Sequence, residues 1–459
     1  MQVAIIGGGI TGLSAAYELA TRGVPFVLLE ASDRLGGLVR TDRVDGFTID
    51  AGADSMLAAK PAGIALCEEL GLGPRLMSST PPRTAYVHAR GRLYALPSPS
   101  IFGIPTTWCG IATYGLLPLP ARLRLLGAGL VFQHRGAPCR NTRSGPGDES
   151  VAAFYRRYFG PATVSLIAQP LVGGIHAGDV EKLSVSAVAP RLVAAAGSGL
   201  LRRAPAAGAR DGEGLFRALR GGMGELVSAI ERRLPPGSVR LNTDEQRIAT
   251  KGTGWDVACR GETISARAVI LASPAHAAAG MLMDTDPALA ALCSEVPYAS
   301  TVSVALAWPR ASIQHSLAGS GFVVAREHSR LRITACTWVS SKWQDRAPRD
   351  MALLRAFLGG ASDPGAAELS DDSLVEIATR DVSGVLGVTG LPVLSRVQRW
   401  TRAGAQYNVG HAARLARVDQ RLAALPGLFV AGSGFQSIGV PDCVADGRAA
   451  GGRAASLIE

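Results

Sequence analysis

The sequence has few of the features that mark whole classes of protein. Its 459 residues include only seven cysteines, scattered and without a C-x-x-C pair. This argues against a disulfide framework or a zinc site and predicts a protein of the reducing cytoplasm. No run of 18 apolar residues occurs, so no transmembrane helix is predicted. The chain opens directly on an apolar strand pattern, so we expect no cleavable signal peptide.

Acidic residues are scarce relative to basic ones. The 47 Lys and Arg residues outnumber 37 Asp and Glu, which gives a net charge of +10. Such a balance suits a nucleic acid, an anionic membrane surface or a carboxylate-rich substrate. No nucleic-acid module and no basic stripe with interleaved aromatic residues is present, so we expect no nucleic-acid partner. The alternative is diffuse surface arginine without a dedicated partner.

A glycine-rich turn stands near the start of the chain. An apolar run at residues 2–6 leads into residues 7–12 (GGGITG), a helical pattern follows, and a second apolar run at residues 25–29 ends in Glu30. This order is typical of a dinucleotide-binding βαβ unit. The alternative is a purely structural glycine turn.

Each glycine of the turn meets a separate physical demand. Gly7 permits a tight turn, Gly9 lets the backbone approach a pyrophosphate, and Gly12 lets helix and strand pack closely. The helix N-terminus offers free N–H groups to phosphates. Glu30 can accept the hydroxyls of the adenosine ribose. We therefore expect a bound dinucleotide.

Two further segments indicate which dinucleotide binds. Residues 34–41 (RLGGLVRT) resemble the second signature of amine-oxidase-like FAD flavoproteins, which NAD enzymes do not usually carry. Near the C-terminus, a strand pattern at residues 427–432 runs into a loop, and a helical pattern opens at Pro441. This second helix N-terminus can face the flavin, although a plain terminal βα unit is the alternative. FAD is the predicted cofactor.

Longer motifs resemble the oxygen-dependent protoporphyrinogen and coproporphyrinogen oxidases of haem biosynthesis over almost the full chain. They are GFTIDAGADSMLAAK (46–60), LP with FGIPT (96–106), ESV (149–151), PLVGGIHAGD with LS (170–184), QYNVGH (406–411) and GVPDCVADG (439–447). The QYNVGH and PDC runs separate this family from generic amine oxidases. Departures from the family pattern are Ala53 and Ala405, where proline is usual, and Ser433.

The resemblance carries the FAD contacts over to particular residues. They are Gly7, Gly8, Gly9, Ile10, Thr11, Gly12, Glu30, Ala31, Arg34, Gly36, Gly37, Leu38, Gly52, Ala53, Asp54, Ser55, Glu245, Ser433, Ile438, Gly439 and Val440. Glu245 takes an adenine-contact position where an apolar valine is usual. No catalytic residue is identified. Asp54 is a candidate beside the flavin, and a turn-capping aspartate is its alternative.

The resemblance implies an α/β and α+β fold in three parts. A Rossmann-like FAD-binding domain, of the p-hydroxybenzoate-hydroxylase and amine-oxidase type, is expected at 1–84, 213–295 and 391–459. A substrate-binding domain is expected at 85–97 and 296–390, where strand patterns at 300–307, 321–325, 331–338 and 351–358 predict an antiparallel sheet. Residues 98–212 form a helical domain, for which membrane association, a channel lining and ordinary buried packing are the alternatives.

The implied activity is the six-electron oxidation of protoporphyrinogen IX to protoporphyrin IX, or of coproporphyrinogen III to coproporphyrin III. Dioxygen is the acceptor, peroxide is released, and the enzyme acts on CH–CH donors. The resemblance also implies a monomer or homodimer, no metal, and contact with a ferrochelatase or the inner face of the cell membrane. The rival functions are an FAD amine oxidase or carotenoid-type desaturase, and a flavin-binding interaction protein without turnover.

Overall fold

The structure is a computed structural model that describes residues 2–135, 147–198, 214–243 and 245–458, with the backbone alone at 128–135, 197–198 and 245–246. The chain divides into two compact units. Unit 1 comprises Met1–Ser78, Arg210–Pro297 and Arg414–Glu459, and unit 2 comprises Ser79–Ala209 and Tyr298–Ala413. The three-domain division remains a prediction.

Strands and helices are numbered along the whole chain. Those of unit 1 are β1 (Val3–Ile6), α1 (Ile10–Thr21), β2 (Phe26–Leu29), β3 (Thr41–Val44), β4 (Phe47–Asp50), β5 (Met56–Leu57), α2 (Ala62–Glu69), a 3₁₀ turn (Gly73–Arg75), β6 (Leu76–Ser78), β11 (Phe216–Leu219), α9 (Gly224–Glu231), β12 (Val239–Arg240), β13 (Glu245–Lys251), β14 (Gly254–Cys259), β15 (Glu262–Ala266), β16 (Ala268–Leu271), α10 (Ala275–Leu282), α11 (Pro287–Ser294), β22 (Leu428–Val430) and α15 (Val440–Ile458). Helix α14 (His411–Leu422) begins in unit 2 and continues in unit 1.

A parallel sheet forms the centre of unit 1. Among the described residues its strand order is β12-β2-β1-β16-β22, and every pairing is parallel. All residues of β1, β2 and β16 are buried, as expected for strands covered on both faces. Helices α1 and α15 approach so closely that a side chain at Gly447 would overlap the backbone of Thr11. The sheet and these helices direct the carboxyl ends of the strands to one edge.

Unit 2 contains the remaining elements. They are β7 (Ala85–Ala89), β8 (Arg92–Ala95), β9 (Ser100–Ile101), β10 (Ile104–Pro105), α3 (Trp108–Thr113), α4 (Leu119–Arg135), α5 (Val151–Tyr158), a π-helical segment (Val164–Gly173), α6 (Gly174–His176), α7 (Val185–Val188), α8 (Pro190–Ser198), β17 (Tyr298–Pro309), a 3₁₀ turn (Arg310–Ser312), β18 (Gly321–Val324), a 3₁₀ turn (Arg326–His328), β19 (Ala335–Trp338), α12 (Val339–Lys342), β20 (Met351–Gly359), a 3₁₀ turn (Pro364–Glu368), α13 (Asp371–Leu386) and β21 (Leu394–Ala405).

The sheet of unit 2 has the order β21-β17-β20-β19-β18-β7-β8 over the described residues. Its pairings are antiparallel except for β18 with β7, because the early hairpin β7–β8 joins the edge in the same direction as β18. Strand β19 starts at Ala335, later than the sequence pattern at 331–338 predicts. The N–H groups of Arg332 and Ile333 donate instead to Asp381 Oδ2, at 2.6 and 3.1 Å.

The segment between β10 and β11 is helical where it is described. Buried residues of α4, α5, the π-helical segment and α8 share one apolar core with β7. Residues 136–146 and 199–213 lie outside the described ranges. None of the described helices is both long enough and apolar enough to cross a bilayer.

Candidate cofactor site

The glycine turn lies at the carboxyl edge of the parallel sheet in unit 1. Gly7 has φ +105°, and its N–H donates to Leu29 O at 2.8 Å. A side chain on Gly12 would overlap the carbonyl oxygen of Gly7, so only glycine fits there. A β-carbon on Gly9 would meet no protein atom within 4 Å. The backbone is thus close-packed on one side and open above Gly9.

Helix α1 begins beside this open space without a side-chain cap. Gly9 is the N-cap residue, and no side-chain hydrogen bond caps the first turn. First-turn N–H groups have no partner within their own helix. Together with the helix dipole, they provide a site for an anionic group such as a pyrophosphate.

Glu30 follows β2 and is held in place by three hydrogen bonds. Gly8 N–H donates to Glu30 Oε2 at 2.6 Å, and Ser32 donates to Oε1 through N–H (2.9 Å) and hydroxyl (2.6 Å). The N–H of Thr243 donates to Glu30 O at 2.8 Å, which places this segment along the same strand end. The backbone of Glu245 opens β13 opposite Cys259. The side chain of Glu245 is outside the described part of the chain.

The second signature crosses the glycine turn. Gly36 N–H donates to Gly8 O at 2.8 Å, and Gly36 forms a parallel bridge with Gly9. The Arg34 guanidinium donates to Gly37 O at 2.7 Å and to Leu35 O at 3.2 Å. Burial lowers the pKa of Arg34, and neighbouring Arg40 adds to this effect. Arg34 therefore fixes the shape of its own loop.

The segment of residues 52–55 lies beside this loop. Ala53 N–H donates to Leu38 O at 3.3 Å, so Leu38 and the 52–55 turn are neighbours. The Ser55 hydroxyl donates to Asp54 Oδ1 at 2.7 Å. This bond joins two neighbouring side chains, and Asp54 remains a candidate beside the flavin.

Residues 432–440 bring the C-terminal part of the predicted site against α1. A β-carbon on Gly432 would lie 3.1 Å from Thr11 Oγ1. The loop then passes through half-buried Ser433 and exposed Ile438 before Val440 starts α15. All of the predicted FAD contacts thus belong to unit 1, and those from the 7–12, 36–38, 52–55 and 432–440 segments adjoin one another.

One polar atom at the same edge has no hydrogen-bond partner in the described part of the chain. The Ser273 hydroxyl is buried and forms no hydrogen bond among the described residues. Ser273 follows β16, and a β-carbon on Gly7 would lie 3.0 Å from its backbone nitrogen. An orphaned donor next to the open glycine turn fits a site that a ligand with acceptor oxygens completes. The residues present therefore fit FAD.

The motifs at residues 406–411 and 170–179 meet in unit 2, where their hydrogen bonds join packed backbone segments. The Gln406 side chain donates to His176 O (2.9 Å) and Gly404 O (3.0 Å), and Gln406 is 6% exposed. The ring of Tyr407 stacks on His411 with centroids 4.0 Å apart. Both histidines belong to packed backbone junctions.

Asp148 joins the same motifs from the other side. Its carboxylate accepts the Ser184 hydroxyl (2.6 Å), the Ser186 hydroxyl (3.0 Å) and Gly410 N–H (3.0 Å). Sequence reasoning missed Asp148, Lys60 and Asp446 as organising residues. Lys60 and Asp446 stand inside recognised motifs, which is the only sequence feature that points to them; Lys60 bonds to Asp442, 382 residues away, and Asp446 to Gly432 and Ser437.

The chain resembles known flavoproteins over almost its whole length. A model of the family described as flavin containing amine oxidoreductase matches residues 10–455. Coproporphyrinogen III oxidase of Bacillus subtilis (strain 168) is 34% identical, with 98% of this chain and 97% of the relative aligned. Protoporphyrinogen oxidase 2, chloroplastic/mitochondrial, of Arabidopsis thaliana is 24% identical over 100% of this chain and 94% of the relative.

A solved structure extends the likeness to three dimensions. A protein from Exiguobacterium sp. 255-15, provisionally described as a protoporphyrinogen oxidase, superposes with a TM-score of 0.85 at 30% identity. The match covers 100% of this chain and 98% of that one. Its coverage includes both units.

Proposed function

The chain belongs to the family of flavin-containing amine oxidoreductases, and from this premise we propose that it oxidises coproporphyrinogen III, and protoporphyrinogen IX more slowly, with dioxygen as acceptor. The substrate order rests on identity, which is 34% to the Bacillus subtilis coproporphyrinogen III oxidase and 24% to the Arabidopsis thaliana protoporphyrinogen oxidase. The net charge of +10 supports the substrate with four carboxylates rather than two.

One observation carries the proposal most directly. Two motifs of the porphyrinogen oxidases, at residues 170–184 and 406–411, are joined in unit 2, through Gln406 to His176 and through Asp148, which accepts from Ser184 and Gly410. Two motifs that must fit one packed junction constrain each other, so a chance similarity would not be expected to reproduce both. The amine-oxidase alternative gives no reason for this junction, and the non-catalytic alternative is tested by turnover.

The cofactor is FAD, and when bound it accepts hydride from the substrate and passes the electrons to dioxygen. We expect the backbone at residues 7–12 and the N-terminus of α1 to hold the pyrophosphate. Glu30 would accept the ribose hydroxyls, and residues 52–55 and 433–440 would adjoin the isoalloxazine. The Ser273 hydroxyl would donate to the phosphate end of the cofactor. Asp54 stays a candidate without an assigned step.

The chemistry asks these residues to position groups and exclude water rather than to transfer protons. Substrate and flavin need only be held in register, because the electrons pass directly to the cofactor. Single replacements of acids or bases should therefore reduce turnover less than changes that displace the flavin.

The test is oxidation of purified, FAD-loaded protein with each porphyrinogen under air, followed by porphyrin fluorescence and peroxide release. We expect rates well above autoxidation and a larger kcat/KM for coproporphyrinogen III. Rates no higher than autoxidation with both porphyrinogens would contradict the proposal, and turnover of an amine panel would favour the amine-oxidase alternative. Faster turnover of protoporphyrinogen IX would reverse the substrate order alone.

The helical part of unit 2 supports a finer proposal, peripheral contact with an anionic membrane on the cytoplasmic side. Trp108, Leu119 and Leu123 are 38%, 60% and 59% exposed, and Arg124 is exposed beside them. Apolar side chains flanked by arginine suit the headgroup boundary of a bilayer. Contact with a ferrochelatase stays a prediction.

Vesicle sedimentation tests this surface. Protein should sediment with vesicles of phosphatidylglycerol and phosphatidylcholine more than with phosphatidylcholine alone, and the double change Leu119→Ser, Leu123→Ser should reduce it. The matched control is Leu391→Ser, which alters an 83% exposed leucine elsewhere in unit 2. Equal sedimentation of all three proteins would remove the membrane proposal.

A further inference from the structure

The loop at residues 432–439 is tied to the first two turns of the helix that follows it. Asp446 Oδ2 accepts Gly432 N–H at 2.7 Å and the Ser437 hydroxyl at 3.2 Å. The Cys443 thiol donates to Ser437 O at 3.3 Å. Both ends of the loop are therefore bonded to side chains of α15.

A second carboxylate closes the far end of the loop. Asp442 Oδ2 accepts Gly439 N–H at 3.3 Å and the Lys60 ammonium at 2.5 Å. Asp442 is the third residue of α15, where a carboxylate is favoured by the helix dipole. Lys60 belongs to the 46–60 motif, so this ion pair connects two motifs that lie 382 residues apart in sequence.

These hydrogen bonds hold the loop with some of its side chains buried and others exposed. Phe435 and Ser437 are 2% and 3% exposed, whereas Ile438 is 38% exposed. The side chains of Phe435 and Ser437 are thus buried, while that of Ile438 reaches the surface. A loop with this many fixed ends loses little entropy when a ligand binds.

We propose that Asp446 is a positioning residue that holds the 432–439 loop in the shape required for flavin binding, with Asp442 and Cys443 in support. Asp446 does this through Gly432 N–H and Ser437 Oγ. The inference rests on the proposed flavin contacts of the loop, and it is independent of which substrate is oxidised.

The clamp is preformed, so its removal should show in the protein without FAD. Asp446→Ala removes both acceptor bonds at once, and amide hydrogen exchange of residues 432–439 should speed up at least tenfold in the apoprotein. Affinity for FAD should fall at least tenfold, and the flavin absorption bands of the reconstituted protein should shift. Asp446→Asn keeps an acceptor oxygen and should recover most of the affinity.

Two further variants, one in the loop and one elsewhere on α15, complete the test. Ser437→Ala removes one bond only and should weaken FAD binding by about two- to tenfold, the effect of one net hydrogen bond. Arg448→Ala alters the same helix through Glu18 and Glu69 and should leave loop exchange and FAD affinity unchanged. If Asp446→Ala does not fold, Ser437→Ala and Asp446→Asn carry the test.

The proposal would be overturned if Asp446→Ala kept both the amide hydrogen exchange rates of the loop and the FAD affinity within twofold of wild type. If Asp446→Ala is not recovered folded, an unchanged FAD affinity in Ser437→Ala would overturn the proposal instead. Failure of porphyrinogen oxidation with an intact clamp would instead contradict the proposed function alone, because neither exchange nor FAD affinity depends on the substrate.

Discussion

The side-chain amide of Gln406 donates a hydrogen bond of 2.9 Å to the backbone carbonyl of His176, although 230 residues separate them. A β-carbon at Gly178 would lie 2.5 Å from Gln406 Oε1, so the amide occupies a tight space between two backbone segments. Tyr407 O accepts Ser184 N–H at 2.8 Å next to it. The Q-Y-x-V-G-H motif is therefore a junction that fixes the backbone around residues 173–184.

Replacing Gln406 by leucine should destabilise unit 2. The change keeps the approximate volume but leaves the carbonyls of His176 and Gly404 without their donor, which costs about 1–3 kcal/mol for buried groups. Urea unfolding at neutral pH measures the loss. Gln420→Leu, at an exposed position of α14, is the control and should stay within about 0.5 kcal/mol of wild type. Equal stability of both variants would show that the junction tolerates the lost donor.

Replacing Gly9 by alanine should separate cofactor binding from folding. A β-carbon there meets no protein atom within 4 Å, and the φ of −67° is open to any residue. The new methyl would stand in the space expected for the pyrophosphate, so FAD affinity should fall at least tenfold. The free energy of unfolding of the apoprotein, measured by thermal unfolding, should change by less than about 1 kcal/mol.

The control for Gly9 is Gly280→Ala in α10, another glycine whose β-carbon meets nothing within 4 Å. It should leave FAD affinity unchanged and stabilise the helix by about 0.5–1 kcal/mol. Unchanged FAD affinity in Gly9→Ala, measured by titration of apoprotein with flavin fluorescence, would argue that the pyrophosphate lies elsewhere.

The cofactor side of the fold was predictable from sequence because its determinants are local. Gly7, Gly12 and Glu30 lie within 24 residues of each other. The local backbone or the expected cofactor requires each residue type at its position, so the three form a spacing that can be recognised in the sequence. The hydrogen bonds from Lys60 to Asp442 and from Gln406 to His176 produce no recognisable spacing in the sequence, because each partner is an ordinary residue in its own segment.

Other features escaped prediction for related reasons. The hydroxyl of Thr41 donates to Asp50 Oδ1, and that same oxygen accepts Met223 N–H at 2.9 Å, which docks a remote segment on the hairpin β3–β4. The late start of β19 depends on Asp381, a residue of α13, which lies between β20 and β21 in the chain. Tertiary partners decide these details, and a strand pattern contains no information about them.

Acid should weaken unit 2 through Asp363. Its hydrogen bonds from Arg332, at 2.8 and 3.2 Å, hold the pKa of this carboxyl below its ordinary value despite partial burial. A carboxyl with a lowered folded pKa contributes stability above its unfolded pKa of about 3.9. That contribution is lost as pH falls below about 4 towards the folded value.

The measurement is the free energy of unfolding between pH 3 and pH 7 for wild type and Asp363→Asn. The variant should be less stable at pH 6, and the difference should shrink as pH falls below about 4, because wild type then loses the same charge. Glu376→Gln, an exposed change on α13, should run parallel to wild type. A difference that is constant across this range would mean that the charge of Asp363 does not contribute.

Replacing Ser273 by alanine should move two properties in opposite directions. The hydroxyl is buried and has no partner among the described residues, so its removal should leave the apoprotein as stable as wild type or slightly more stable. If the cofactor is its partner, FAD affinity should fall by about two- to tenfold, the effect of one net hydrogen bond. Ser273→Thr keeps a hydroxyl and should retain more of the affinity. Ser228→Ala, at an exposed position of α9, is the control and should change neither property. A less stable apoprotein with unchanged FAD affinity in Ser273→Ala would show that the hydroxyl serves the fold and not the cofactor.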